Sequence, residues 1–363
     1  MQLVVTDTEL DTVVEQLEEA ALIALDTEFM REDTYFPILC VVQVCTADML
    51  FCVDALALER PAAVAGLFRG PRRTIVLHAA HQDLEMFFQE TGELPVSLFD
   101  TQVAAAMTGF DAQISYAQLV RELLNVELDK SQTRTDWRRR PLSEAQLEYA
   151  ADDVRYLARI QPLLAQRLEA LDRTSWHQQE CARMLRPATY TADPANAWRR
   201  IKGVGRLDPD ARARARRLAA WREREAIQRN RPRQWIFRDR LILDLARQCP
   251  GTRNELAEID GLPEPVARRY AETLIGLLAA PVETEEAVEI EAAVAPLTRE
   301  QRELTKALRA CLSACAEEHE IGAGLLANRV DLENLARGRR DLDVLEGWRR
   351  EVAGKALLAL LEP

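Results

Sequence analysis

The first half of the chain alternates between short apolar runs and segments with helical periodicity. Apolar runs of about four to eight residues without a helical period are typical of strands buried in a sheet. Because helical patterns lie between and after these runs, the pattern predicts a mixed α/β sheet with flanking helices over residues 1–195. The strand-like runs are LVVT (3–6), LIALDTEF (22–29), CVVQVCT (40–46), LFCVDA (50–55) and TIVLHAA (74–80).

Helical periodicity dominates the rest of the chain. Residues 143–171 are predicted to form one long helix, because Pro141 and Ser143 precede it and Ser143 has N-cap character. From about residue 195 onward no convincing strand pattern is found. The second half is therefore predicted to be all-α.

This helical half contains a weak internal repeat. The segments EIDGLPEPVARRYAETLI (258–275) and VLEGWRREVAGKALLALL (344–361) align so that Gly261 faces Gly347, each glycine ending a turn before a helix. Chance similarity between two apolar helices is the alternative. Segment 281–295 contains five Glu and no basic residue, and it is predicted to be a linker. The predicted domains are 1–195, 207–281 and 296–363, the last two small and all-α.

Composition restricts the class of protein. Apolar residues make up 48% of the sequence, which is typical of a globular protein. We expect no secretory signal and no membrane span, because no apolar stretch approaches the required length. The seven cysteines form no C-x-x-C pair, so we expect reduced core thiols in a cytoplasmic protein.

Charge is distributed unevenly along the chain. The net charge is −12, yet residues 199–240 contain 15 basic and 5 acidic residues. Such asymmetry favours one surface for a polyanion within an otherwise acidic protein. The alternative is a general preference for arginine, since 43 of the 47 basic residues are Arg.

Four carboxylates are candidates for a common site. Asp26 and Glu28 are two residues apart on a predicted buried strand, so they lie on the same face. Asp83 follows the strand TIVLHAA, and Tyr149 shares a helical face with Asp153. Asp152 is three residues from Tyr149, so spacing alone does not choose between Asp152 and Asp153.

Carboxylates without nearby His or Cys are ligands for hard cations such as Mg²⁺ or Mn²⁺. A pair of such ions would neutralise the cluster and could hold the attacking and leaving oxygens of a phosphodiester. Taken singly, each residue has a structural alternative. The aspartates could be caps or turn residues, and Tyr149 could be a core residue.

The motifs resemble those of a known family. D-T-E on a buried strand, an Asp after HAAHQ, and Y-x-x-x-D on a late helix resemble the exonuclease motifs of the DEDD superfamily, Tyr subclass. The stretches DTEFMREDTYFPILCVVQV and LDKSQTRTDWRRRPLSEAQLEYAADDVRYL resemble bacterial ribonuclease D more specifically. The helical modules resemble its two helicase-and-ribonuclease-D C-terminal (HRDC) domains. The resemblance covers essentially the whole chain and is weakest over 296–363.

This resemblance implies a ribonuclease H-like exonuclease domain followed by two HRDC domains. It implies that Asp26, Glu28 and Asp153 bind one divalent metal ion, and that Asp26 with Asp83 holds a second. Tyr149 would orient or help deprotonate the attacking water. The resemblance also favours Asp153 over Asp152.

The implied activity is 3′-to-5′ hydrolysis of RNA that releases nucleoside 5′-monophosphates, with two Mg²⁺ or Mn²⁺ ions as cofactors. The implied substrates are tRNA precursors with 3′ extensions and other small structured RNAs. We expect a cytoplasmic monomer. A DNA exonuclease and a nucleic-acid-binding protein with a vestigial nuclease site are the alternatives, and residue spacing alone does not separate RNA from DNA.

The segment RTDWRRRP (134–141) is a candidate RNA contact. Arg134 and Arg138 could bind phosphates, and Trp137 could stack on an unpaired base. The alternative is a packing tryptophan surrounded by solvated arginines.

Overall fold

The computed structural model describes residues 1–70, 72–129, 135–282 and 296–361, and the chain divides into two compact units. The first unit contains residues 1–30, 38–190 and 297–363, and the second contains residues 31–37 and 191–296. These units group the chain differently from the three domains expected from sequence. The predicted linker lies mostly outside the described residues.

A six-stranded mixed sheet forms the centre of the first unit, and the apolar runs predict five of its strands. Its spatial order is β1-β4-β3-β2-β5-β6, with β3 antiparallel to both neighbours and the other pairs parallel. The sixth strand was not predicted, because the apolar run in VSLFD is short and is interrupted by Ser97. The strands are β1 (Gln2–Val4), β2 (Leu22–Met30), β3 (Ile38–Cys45), β4 (Leu50–Asp54), β5 (Thr74–Leu77) and β6 (Ser97–Asp100).

Helices cover both faces of this sheet. On one face Ile23 and Leu25 share an apolar cluster with Leu84 and Phe87 of α2, and on the other Ala24 shares a cluster with α6. The alternation along β2 therefore buries both of its faces, which explains its continuous apolar run. The helices before residue 190 are α1 (Asp7–Gln16), α2 (His81–Thr91), α3 (Thr101–Ala106), α4 (Tyr116–Leu124), α5 (Glu144–Arg155), α6 (Leu157–Ala170) and α7 (Thr174–Met184), with 3₁₀ turns at Pro61–Leu67 and Pro187–Thr189.

The prediction of one long helix from residue 143 is wrong in one respect. The segment is divided at Tyr156 into α5 and α6. Pro162 lies inside α6, and proline has no N–H to donate to the carbonyl four residues earlier. The preceding turn is therefore weakened close to the break.

The second unit is helical, as expected. Segment 31–37, which connects β2 to β3, belongs to it because the Tyr35 hydroxyl donates to Glu223 at 2.6 Å. The Asn230 side chain also accepts hydrogen bonds from the main-chain N–H groups of Tyr35 and Phe36. The helices are α8 (Pro209–Gln228), α9 (Arg233–Ile236), α10 (Asp239–Gln248), α11 (Arg253–Ala257) and α12 (Glu264–Ala279), preceded by 3₁₀ turns at Pro194–Arg200 and Val204–Arg206.

Residues 297–361 repeat this succession of helices. A helix of 20 residues, one of four and one of eight correspond to α8, α9 and α10. Gly261 and Gly347 both have positive φ, +79° and +50°, as expected for turns before the helices that follow them. The elements are α13 (Arg299–Glu318), α14 (Ala323–Leu326), α15 (Arg329–Ala336), a 3₁₀ turn (Asp343–Leu345), and a final helix formed by α16 (Gly347–Arg349), a π-turn (Arg350–Gly354) and α17 (Lys355–Ala359).

This C-terminal module packs on α7 within the first unit. The Trp348 ring stacks on Trp176 with 4.9 Å between ring centroids, and its indole N–H donates to Glu180 at 2.8 Å. Arg349 pairs with the same carboxylate. One apolar cluster contains residues of α6 together with residues of α13 and α17. Residues 297–361 are therefore packed into the first unit rather than attached to it only by a linker.

Two further sequence expectations concern the cysteines and the membrane. All seven cysteines are free thiols, and Cys40, Cys45, Cys52 and Cys181 are buried. Among the described residues, no helix is long and apolar enough to cross a membrane.

Replacing Trp348 with Ala tests this packing. The ring is 3% exposed, so its loss should lower the free energy of unfolding by about 3 to 5 kcal/mol. Urea unfolding followed by far-UV circular dichroism measures the change. Trp235→Ala is the control, because Trp235 is 59% exposed and should be nearly neutral. Equal midpoints for the two variants would contradict the described packing.

Candidate active site

Strand β2 carries the first two acidic residues. Ile23, Ala24 and Leu25 are fully buried, and this fixes the strand in the sheet just before Asp26. Asp26 and Glu28 lie on the same face, and a β-bulge follows directly between Glu28 and Phe29. Pairing resumes in a shifted register at Phe29, so both carboxylates lie in the regular part of the ladder just before the shift.

Helix α5 carries Asp153 and Tyr149 to the same place. Its start is fixed by a capping box, in which the Ser143 hydroxyl accepts from the Gln146 N–H and the Gln146 side chain accepts from the Ser143 N–H. Carboxylate oxygens of Asp26, Glu28 and Asp153 all lie within 4.8 Å of one another. The Tyr149 hydroxyl hydrogen-bonds to the Asp153 carboxylate. Three carboxylates at this separation could hold a metal ion.

Asp83 approaches the cluster from the start of helix α2. It lies in the first turn of α2, is 7% exposed, and accepts a hydrogen bond of 2.6 Å from the Thr27 hydroxyl. Within the part of the chain that the structure describes, the group of carboxylates whose oxygens lie within 4.8 Å of one another does not include Asp83. Its charge nevertheless acts strongly on Asp26. The structure therefore places Asp83 beside this group.

The carboxyl groups strongly disfavour each other's ionisation. Burial, followed by the charges of Asp83, Asp153 and Glu28, raises the pKa of Asp26 well above its ordinary value. Burial and the charges of Asp153 and Asp83 raise the pKa of Glu28 to about 9. Such a cluster is stabilised by a cation, and its all-oxygen donor set suits Mg²⁺ or Mn²⁺.

Burial also raises the pKa of Asp153 to about 7, with Asp152 and Asp83 adding to the shift and the Tyr149 hydrogen bond opposing it. Asp152 itself points elsewhere. Its carboxylate pairs with Arg155 at 2.5 Å. The structure thus places Asp153, and not Asp152, with Asp26 and Glu28.

Two polar residues next to the cluster were not identified from sequence. Thr27 holds Asp83 through its hydroxyl, and alternation along β2 gave no sign of this role because Thr27 lies on the opposite face from Asp26. The Tyr116 hydroxyl donates to the Asp152 carbonyl at 2.8 Å. Burial and the charges of Asp153 and Asp26 raise its pKa well above the ordinary value for tyrosine. Tyr116 has no sequence signal, since its proximity depends on the packing of α4.

The residues of the candidate RNA-contacting segment (134–141) differ in their structural roles. Trp137 is 3% exposed and lies in an apolar cluster with Tyr149, which favours packing over base stacking. Arg140 is also structural, because it pairs with Asp54 and donates to the carbonyl of Trp137. Arg138 is partly exposed and pairs with Asp136 at 3.0 Å. Arg134 lies outside the described residues.

Comparison with known proteins agrees with this geometry. Residues 1–169 match a family model described as 3′-5′ exonuclease, and residues 211–278 match the HRDC domain. Ribonuclease D of Gluconacetobacter diazotrophicus is 39% identical, over 99% of this chain and 92% of that protein. Ribonuclease D of Pseudomonas paraeruginosa is 40% identical, over 94% of this chain and 92% of that protein.

A solved structure gives the same relationship. The crystal structure of Escherichia coli RNase D, described as an exoribonuclease involved in structured RNA processing, superposes with a TM-score of 0.87. It is 33% identical in sequence, and the match covers 99% of this chain and 98% of that one. Together with the acidic site on β2 and α5, these similarities show that the chain belongs to the ribonuclease D family of 3′-5′ exoribonucleases.

Proposed function

We propose that the protein removes nucleotides one at a time from the 3′ end of RNA, releasing nucleoside 5′-monophosphates. The observation that carries this proposal is the convergence of three carboxylates within 4.8 Å beside a tyrosine hydroxyl. Asp26, Glu28 and Asp153 would hold one divalent cation, and Asp26 with Asp83 the second. Two such ions stabilise the attacking and leaving oxygens of a phosphodiester displacement.

The protein residues orient the reacting groups. In this proposal the Tyr149 hydroxyl holds the attacking water, while Asp153 fixes the orientation of that hydroxyl through their hydrogen bond. Thr27 holds Asp83 in place from the neighbouring position on β2. Trp137 packs near Tyr149 and limits movement of its ring.

The proposed substrates are tRNA precursors with 3′ extensions and other small structured RNAs. The description of the E. coli relative supports structured RNA as a class. The basic residues between 199 and 240, together with Arg134 and Arg138, would contact phosphates. In this proposal the enzyme acts as a monomer in the cytoplasm. The seven free thiols agree with the cytoplasm, where thiols are kept reduced.

The basic segment is only partly available for such contacts. Arg222 is 2% exposed and pairs with Asp239, and Arg214 donates to the Ala246 carbonyl, so both stabilise the helical fold. Arg240 differs, because its side chain is 85% exposed although it pairs with Asp244, four residues away, at 3.4 Å. RNA binding therefore depends on fewer arginines than the sequence count of 15 basic residues indicates.

Asp153→Asn is the first test of the site. Degradation of a labelled RNA with a 3′ overhang, with Mg²⁺, Mn²⁺ or a chelator, should require metal and should be abolished in the variant. A DNA oligomer of the same sequence tests the competing activity. Near-wild-type turnover by Asp153→Asn would exclude the proposed site, and faster degradation of DNA would favour a DNA exonuclease.

The same variant should gain stability in the absence of metal. The folded-state pKa of Asp153 is raised from 3.8 to about 7, so between these values the folded protein binds more protons than the unfolded chain. The destabilising effect of this carboxyl is then absent below about pH 4, grows as pH rises, and is complete above about pH 7. Thermal unfolding in chelator should show the Asp153→Asn variant and the wild-type protein converging at low pH, with the variant more stable at pH 8.

Tyr149→Phe separates a role in the reaction from a role in the core. The variant keeps the ring and its packing against Trp137 but loses the hydroxyl. Turnover should fall on the order of 10²-fold or more, with little change in melting temperature. An unchanged rate would indicate that Tyr149 is only a core residue.

Arg240→Gln tests the basic segment. Each phosphate contact contributes about 0.7 to 0.9 to the slope of log affinity against log salt concentration, so losing one should reduce the slope by about that amount for a tRNA precursor. Arg268→Gln is a matched control, because Arg268 is 76% exposed and also has an acidic partner four residues away. Equal slopes for the two variants would remove Arg240 from the proposed RNA contacts.

A further inference from the structure

Gln43 is a buried amide in the middle of the sheet. It is the one strongly polar residue in the β3 segment ILCVVQVC, and it is 0% exposed. Within the described part of the chain, neither its Oε1 nor its Nε2 has a hydrogen-bond partner. Leaving a buried polar group unpaired costs roughly 1 to 3 kcal/mol, so a residue of this kind is expected to have another partner in the working protein.

The sheet register places this amide next to the acidic site. In the antiparallel pair of β2 and β3, Gln43 lies directly opposite Asp26. Directly opposed residues point to the same face, with their Cβ atoms about 4.5 to 5.5 Å apart. On its other side Gln43 is opposite Cys52, whose thiol is a weak hydrogen-bonding group. Of the two residues directly opposite Gln43, Asp26 therefore carries the stronger hydrogen-bond acceptor.

The residues around Gln43 offer its amide few other hydrogen-bond partners. Val41 and Cys45, two residues away on either side, share its face and belong to two different apolar clusters. Helix α5 covers this face, and the residues it buries there include Ala150 and Val154. Asp54 lies on the same face, opposite Val41, but its carboxylate is paired with Arg140. Among these described neighbours, the carboxylate cluster around Asp26 is therefore the nearest polar group that could receive the Gln43 amide.

We propose that Gln43 is a positioning residue, which donates a hydrogen bond from its amide to the Asp26 carboxylate when the site holds its cation. The inference rests on the proposed function, because it takes Asp26 as a ligand. A charged carboxylate is a stronger acceptor than a neutral one, so the hydrogen bond and cation binding favour each other. Outer partners of this kind typically change metal affinity by about 10- to 100-fold.

The residue type fits the role. Glutamine supplies a donor without adding charge. A lysine or arginine here would compete with the cation for Asp26, and a glutamate would add another negative charge to the crowded site. A neutral amide orients the ligand and leaves the charge balance of the cluster to the cation.

The test replaces Gln43 with Met, which has a similar length and no strong hydrogen-bonding group. Mn²⁺ affinity of the full-length protein is measured by calorimetry without RNA, and thermal unfolding is measured in chelator. We expect Mn²⁺ affinity to fall by about 10- to 100-fold. The melting temperature without metal should stay the same or rise, because an unpaired buried amide is removed.

Cys52→Ala is the matched control. Cys52 is also fully buried and lies on the other side of Gln43, so this variant disturbs the same strand pair without touching the Asp26 side. It should lose stability but keep its Mn²⁺ affinity. If Gln43→Met does not fold, Gln43→Asn keeps an amide but withdraws it by one methylene, and it should also weaken Mn²⁺ binding.

Failure of this inference differs from failure of the proposed function. If Asp153→Asn loses Mn²⁺ binding while Gln43→Met keeps wild-type affinity, only the role of Gln43 is overturned. If Gln43→Met has a lower melting temperature but unchanged Mn²⁺ affinity, Gln43 has only a structural role. If the wild-type protein binds no Mn²⁺, the proposed metal site and the role of Gln43 are both wrong.

Discussion

Repulsion between carboxyl groups that meet on the buried strand β2 is the constraint around which the nuclease unit is built. Oxygens of Asp26, Glu28 and Asp153 lie within 4.8 Å of one another, and their raised pKa values show that the fold opposes full ionisation of the cluster. Other interactions must therefore hold the acids together. The ladder between β2 and β3 fixes two of them up to the bulge, a capping box fixes the start of α5, and Thr27 holds Asp83. Because these supports do not depend on a cation, the proposed metal ligands are placed in advance, which would reduce the ordering needed on binding.

The two helical repeats have different structural positions. Residues 297–361 pack on α7 and share an apolar cluster with the nuclease helices, so their removal would expose the Trp176 surface. The repeat at 209–279 belongs to the second unit, together with the short segment 31–37 that follows β2. Thus the chain leaves β2, contributes segment 31–37 to a different unit, and returns as β3. Repeats of similar sequence have here acquired different packing partners.

Sequence alone determined the elements whose signal is local. The uninterrupted apolar run before Asp26 predicted a strand buried on both faces, and the two-residue spacing placed Glu28 beside Asp26. The Pro and Ser before residue 144 predicted the start of α5. The family resemblance rested on the same motifs, because metal ligands of this kind must occupy fixed positions on strands and helices.

Tertiary structure decided those questions about the site that local sequence patterns leave open. Spacing allowed either Asp152 or Asp153, and the choice follows from which side of α5 faces the sheet. Trp137 between arginines was compatible with base stacking or packing, and burial against Tyr149 favours packing. The position of Gln43 opposite Asp26 depends on strand register, a relation between distant segments that no single window of sequence contains. The grouping of 297–361 with the nuclease has the same origin, since it depends on which apolar surfaces meet.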